Sequence, residues 1–324
     1  MSFLFPSSTI TLDAALRDIA QGSPRARAAA AHALGDVSEP TEKRRAFAAL
    51  IVALDDDRPE VRAEACNSLG ELRDGEALPH LLKRLDDGAP AVRQSAAIAL
   101  GTLALPEAFE ALAAVLKSGP ADLRFQAATS LAEVDTARSF EPIAAALEDP
   151  DPQVVGAAAL SLGAIGDARA IPLLTGKLEH VTGGVQFDVA YALAELGESA
   201  GRKVLVAALV DAERAWDAVS ALAMVGDVLG LREALFDKKV RAEATILAAG
   251  GILKRAPGDE PARRVLLAAL GARKTHLRGL AVEQLAVVGG AWAKAPLEKL
   301  ADSRKGADLV EPIALALEKL AERA

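Results

Sequence analysis

The chain has one cysteine, four histidines and eleven aromatic side chains in 324 residues. A single Cys excludes an intrachain disulfide, and a reducing cytoplasm is the compartment it predicts. The histidines at positions 32, 80, 180 and 276 are far apart in sequence, whereas metal sites draw on clustered His, Cys or carboxylates. No apolar run reaches the roughly 18 residues that a membrane span requires, so no membrane insertion is expected. The opening MSFLFPSSTITLD holds no basic residue and only a short apolar patch, so it does not read as a secretory signal. Phosphate loops of the form G-x-x-x-x-G-K-[ST] and nucleophile turns of the form G-x-S-x-G are both missing, and Gly183-Gly184 reads as a short interhelical loop. No cofactor is implied.

What is present is a repeat. Asp55–Leu72 reads DDDRPEVRAEACNSLGEL, and Asp86–Leu103, 31 residues on, reads DDGAPAVRQSAAIALGTL. The residue after the Leu of the SLG or ALG element recurs as Gly35, Gly70, Gly101, Ala132, Gly163, Ala194 and Ala223, with weaker copies near Ala249, Ala286 and Glu318. A fixed period in this range signals a solenoid, in which each unit buries its face on its neighbours. The expectation is one array over residues 1–324 with about ten units, regular over 11–199 and divergent over 200–324. The chain is 51% hydrophobic, much of it Ala, which favours helix and lets helices approach closely.

One unit shows the local logic. Pro79 sits where a helix begins, a position that needs no N–H, and Leu78, Leu81, Leu82 and Leu85 follow at helical spacing. Asp86-Asp87-Gly88 makes the turn, and Pro90 opens a second helix with Val92, Ala96, Leu100 and Leu103 along one face. Each unit is therefore two antiparallel helices, and the fold class is all-α, an α-solenoid superhelix. Leu78, Phe109, Phe140 and Ile171 form a core column at the start of the first helices. Phe3-Leu4-Phe5-Pro6 is expected to cap the first unit, and helix one to start after Thr11.

The repeated Asp56, Pro59, Val61-Arg62, Ala65 and Leu69-Gly70, recurring as Asp87, Pro90, Val92-Arg93, Ala96 and Leu100-Gly101, resemble the HEAT repeat. The likeness is to its bacterial phycobilisome-lyase HEAT-like form in particular. It implies that such Asp and Arg residues bond between neighbouring repeats, with Asp149 and Arg124 belonging to a partly lost ladder. HEAT-like deoxyhypusine hydroxylases hold iron with His-Glu dipeptides, and no His-Glu dipeptide occurs here. Cys66, among Ala65, Leu69 and Leu72, reads as a buried and inert thiol.

Candidate binding residues come from the outward face of the second helices. Counting from the Arg of Val-Arg, positions +1 and +5 point away from the buried positions. Column +1 reads Ala28, Ala63, Gln94, Phe125, Gly156, Phe187 and Trp216, and column +5 reads His32, Asn67, Ile98, Thr129, Leu160, Tyr191 and Ser220. Ile98, Phe125, Leu160, Phe187, Tyr191 and Trp216 thus gather on what HEAT-like arrays use as the concave side. Glu71, Glu133 and Glu195 edge them at position +9. An apolar groove with an acidic rim suits a partner segment with apolar anchors and Lys or Arg flanks. The alternative is that superhelical curvature buries these rings against adjacent units.

Charge is uneven: residues 1–230 carry 20 Lys/Arg and 33 Asp/Glu, and residues 231–324 carry 17 and 12. Lys254, Arg255, Arg263, Arg264, Arg273, Lys274 and Arg278 form a basic group there. It reads as a solvated face, as an anion or nucleic-acid site, or as a docking point for an acidic protein, including the N-terminal part of another copy. Trp216-Asp217 is similar to the Trp and Asp of HEAT-like DNA glycosylases, yet the acidic first part of the chain disfavours nucleic acid. The favoured function is a non-enzymatic scaffold for another protein. The resemblance also implies an alternative, a bilin lyase-like enzyme subunit with a tetrapyrrole in the aromatic groove.

Overall fold

A computed structural model describes residues 10–322. The proposed cap at Phe3–Pro6 lies outside the described residues. The described residues are helical throughout, with short 3-10 turns and no strand among them.

The chain divides into two compact units, Met1–Asp167 and Ala168–Ala324. Unit 1 holds five helix pairs: α1 (Leu12–Gln21) with α2 (Pro24–Gly35), α3 (Pro40–Ala53) with α4 (Pro59–Leu72), α5 (Leu78–Arg84) with α6 (Pro90–Leu103), α7 (Phe109–Ser118) with α8 (Ala121–Val134), and α9 (Thr136–Ala145) with α10 (Pro152–Ile165). Unit 2 holds five more: α11 (Ala170–Leu178) with α12 (Gly183–Glu195), α13 (Arg202–Ala208) with α14 (Ala215–Met224), α15 (Val228–Phe236) with α16 (Ala242–Arg255), α17 (Glu260–Ala269) with α18 (Thr275–Val288), and α19 (Ala291–Ala301) with α20 (Val310–Ala321). Within unit 1 the second helices α2, α4, α6, α8 and α10 pack in that order, each on the next; in unit 2, α12, α14, α16, α18 and α20 do the same. Both units are all-α helix-pair stacks of the solenoid kind.

The helix starts follow local chemistry. The Thr11 and Ser23 hydroxyls accept from the amides of Ala14 and Ala26 at α1 and α2, and Pro opens α2, α3, α4, α6 and α10, where its missing N–H costs nothing. Gly183 and Gly184 are not a loop: they form the first turn of α12, with Gly183 at φ +64°.

Leu34, Leu69, Leu100, Leu131 and Leu162 are fully buried, one per second helix of unit 1, and Ala30, Ala65, Ala96, Ala127 and Ala158 are buried a turn earlier. Small residues set the spacing between these helices. A Cβ on Gly70 would stand 2.9 Å from Ala99 Cα, and one on Gly101 2.9 Å from Ser130 Cβ, so the backbones meet where no side chain fits. In the first-helix column, Phe109 and Phe140 are buried and Leu78 and Ile171 half-buried.

Candidate functional site

The repeated Asp and Arg residues form a ladder through unit 1. Arg27 on α2 donates from Nε and Nη2 to both oxygens of Asp56 at 2.7 and 2.8 Å. Arg62 on α4 does the same to Asp87 at 2.9 and 2.8 Å, and Arg124 on α8 to Asp149 at 2.7 and 2.7 Å. Each carboxylate also accepts an amide N–H two residues on, so one Asp both shapes its own turn and ties it to the preceding repeat. The Arg62 hydrogen bonds hold the Asp87 carboxyl below the usual carboxylate range, and Arg124 does the same for Asp149. Arg124 and Asp149, singled out as remnants in the sequence, are thus one intact rung.

The rung at Arg93 is incomplete. Its Nη1 donates to Asp87 O at 2.9 Å, while its Nε is buried without a partner. The ladder position one 31-residue step after Asp87 is Ser118. Ser118→Asp is therefore expected to supply the missing carboxylate and raise stability by about 1 kcal/mol, the scale of a hydrogen bond to a charged group in a partly solvated site. Urea midpoints of this variant in the wild-type and Arg93→Gln backgrounds check it, because the gain must vanish when Arg93 is gone.

The outward face of unit 1 carries one large apolar side chain on each of three successive second helices. Ile98 on α6, Phe125 on α8 and Leu160 on α10 are 42%, 40% and 36% exposed. Glu71 and Glu133 are exposed on α4 and α8, and Gln94 Nε2 donates to Asp122 at 3.1 Å on the same side. The N-terminal end of this face is polar, with His32 Nδ1 2.8 Å from Glu64 Oε1, a contact that raises the imidazole pKa.

Unit 2 departs from the expected columns. Trp216 on α14 is 51% exposed, and Glu195 is exposed. Phe187, expected to face outward, is buried. Its ring lies 5.5 Å under the guanidinium of Arg214, which precedes α14, and 6.3 Å from the ring of Tyr191. Tyr191 is half-buried, and burial, with Glu195 and Asp217 nearby, pushes its phenol up. The apolar side chains most open in unit 2 lie on a first helix instead: Leu229 and Phe236 of α15 are 68% and 69% exposed. Column counting on the second helices passed over them.

The basic group of the last repeats is smaller than its sequence suggests. Lys254, Arg255, Arg264, Arg273 and Lys274 are exposed, with Arg264 3.8 Å from Glu260. Arg263 is half-buried. It lies 5.1 Å from the Trp292 ring centroid and donates to Pro257 O at 2.7 and 3.0 Å. Arg278 is not a surface cation at all. It is buried and donates to the carbonyls of Ala272, Arg273 and Lys305 at 3.0, 3.0 and 3.1 Å. The signal was present in the sequence, since Leu277-Arg278 stands eight residues before Ala286, as Val61-Arg62 stands before Gly70.

Cys66 is buried on α4, and burial pushes its thiol up to about 12, which leaves no thiolate near neutral pH. Among the described residues no group of three or more His, Cys, Asp or Glu is placed to hold a metal, and no helix is long and apolar enough to cross a membrane.

Residues 47–132 and 109–183 match the family described as HEAT repeats. Residues 47–183 carry HEAT repeats. Among solved structures, the CpcE–CpcF complex of phycocyanin lyase from Nostoc sp. PCC7120 is similar at 26% identity over 81% of this chain and 96% of that one, with a TM-score of 0.42. A homology model of the full-length AP-3 complex aligns with a TM-score of 0.58 at 13% identity, over 90% of this chain and 57% of that one. Human deoxyhypusine hydroxylase in complex with glycerol aligns at 21% identity over 85% and 94%, with a TM-score of 0.35. The AP-3 likeness shows the fold alone, and the other two, at their TM-scores, carry no argument. No curated protein matches the sequence.

Proposed function

We propose that this HEAT-repeat chain is a docking scaffold for another protein, and that the second-helix face of unit 1 is its principal contact surface. One observation carries the reading: Ile98, Phe125 and Leu160 leave water-exposed apolar surface on three adjacent helices. Clustered exposed apolar groups usually mark an interaction site, and a protein partner covers them most fully. The exposed Glu71 and Glu133 favour a partner segment whose apolar anchors are flanked by Lys or Arg. Trp216, with Glu195 and half-buried Tyr191 on neighbouring helices of unit 2, supports a second contact of the same chemistry.

The test is affinity capture from the native lysate with wild type beside a Phe125→Ala, Leu160→Ala pair. Both positions are partly exposed, so the pair is expected to fold with an unchanged urea midpoint. Loss of two anchors at about 1–2 kcal/mol each weakens a partner roughly 10- to 1000-fold, enough to drop it from the eluate. Equal recovery of every partner by the folded pair would remove this face from the function.

A further inference from the structure

The first helix α15 carries an apolar pair that its own unit does not cover. Leu229 and Phe236 are seven residues apart on one side of the helix, at 68% and 69% exposure. Seven residues of helix rise about 10 Å. The turn that follows Phe236 exposes Lys238, Lys239 and Arg241 against one exposed acid, Asp237. The α15 patch is therefore apolar with a basic flank.

The second-helix face of unit 1 is its complement. It presents Ile98, Phe125 and Leu160 on successive helices, and packed helices lie about 8–10 Å apart. The spacing of the α15 pair is thus comparable to the distance between neighbouring helices of that face. The exposed Glu71 and Glu133 oppose the Lys and Arg of the α15 turn. The wider charge runs the same way: unit 1 carries 15 Lys/Arg against 25 Asp/Glu, and residues 231–324 carry 17 against 12.

We infer that the chain self-associates head to tail, with α15 of one copy lying across α6, α8 and α10 of a second copy. The inference rests on the docking reading of the unit 1 face and names a second copy as an occupant. Because the two surfaces differ, the contact is heterologous, and each added copy leaves one face of each kind open. Mass therefore grows beyond the dimer unless a ring closes.

Sedimentation equilibrium of the full chain, in about 50 mM and about 500 mM sodium chloride, tests this, because the longer Debye length at low salt strengthens the Lys–Glu flank. Wild type is expected to grow in mass with concentration, more strongly at low salt. A head variant, Ile98→Ala with Phe125→Ala, and a tail variant, Leu229→Ala with Phe236→Ala, each retain one intact face and are expected to associate at least about tenfold more weakly alone. Mixed, they are expected to form a 1:1 complex, since the intact tail of one meets the intact head of the other. A monomeric wild type at every concentration and salt overturns self-association, yet leaves the scaffold reading standing if the unit 1 pair still loses a captured protein. Oligomers that survive both variants, or that only one variant disrupts, overturn it as well.

Discussion

Gly70→Leu is expected to unfold unit 1 at neutral pH. A Cβ at position 70 meets Ala99 Cα at 2.9 Å and Ala99 Cβ at 3.1 Å. The first of these is backbone in the middle of α6, so no side-chain rotation relieves it. The helices α4 and α6 must separate instead, and Leu69 and Leu100, both fully buried beside the contact, lose packing with them. Gly70→Ala alone is expected to cost about 2 kcal/mol, within the usual range for overpacking. Leu adds a branched side chain with nowhere to go, and the sum approaches the whole stability of a marginal unit, about 5–15 kcal/mol. Gly101→Leu is expected to behave alike, against Ser130 Cα at 3.1 Å. Gly88→Ala is the control: nothing lies within 4 Å of its Cβ, and its midpoint is expected to stay or rise slightly. Circular dichroism in urea separates the cases, and a wild-type midpoint for Gly70→Leu would show that the α4–α6 approach does not limit stability.

The same glycines explain why the fold was legible. A 31-residue step that keeps Leu69-Gly70 and Leu100-Gly101 in register specifies both a buried column and a helix–helix distance, and neither depends on distant parts of the chain. The outward columns were less legible because they follow from the period of one helix at a time. Phe125 and Phe187 occupy the same column, yet α10 presents Val154 and Val155, themselves buried, where the next helix after α12 presents Arg214. A long cationic side chain reaches back over the ring, and periodicity within α12 contains no trace of it. The opposite error occurs at Arg278, whose neighbours in sequence are cationic but whose position in the repeat is that of Arg62. Leu229 and Phe236 escaped because the outward columns were drawn on the second helices, and α15 is the first helix of its pair. The division between Asp167 and Ala168 was illegible for the opposite reason, since the step from Gly163 to Ala194 is still 31 residues.

Asp87→Ala is expected to cost about 3 kcal/mol, the second largest loss for a single side chain in unit 1 after the helix-contact glycines. Its carboxylate is nearly buried, with 6% of the side chain exposed, and Arg62 opposite is 16% exposed. Removing the acid leaves the guanidinium fork desolvated and unpaired, which is where the penalty of breaking a buried pair arises. It also removes the acceptor for the Ala89 amide at the start of α6. Asp87→Asn retains that acceptor and is expected to lose about 2 kcal/mol, which isolates the charge. The double change Arg62→Met, Asp87→Leu is expected to recover most of the loss, because no uncompensated ion remains. Arg93→Met, where no carboxylate completes the rung, is expected to cost less than about 1 kcal/mol. The pH dependence has a definite sign. Arg62 holds the folded Asp87 pKa below its unfolded value, so the rung contributes fully above the ordinary Asp value of about 3.9. That contribution is lost as the pH falls through the folded value. Wild type is therefore expected to lose more stability than Asp87→Asn on acidification, and their urea midpoints to converge. Parallel midpoints across that range would mean that the rung orders the turn without its charge contributing to stability.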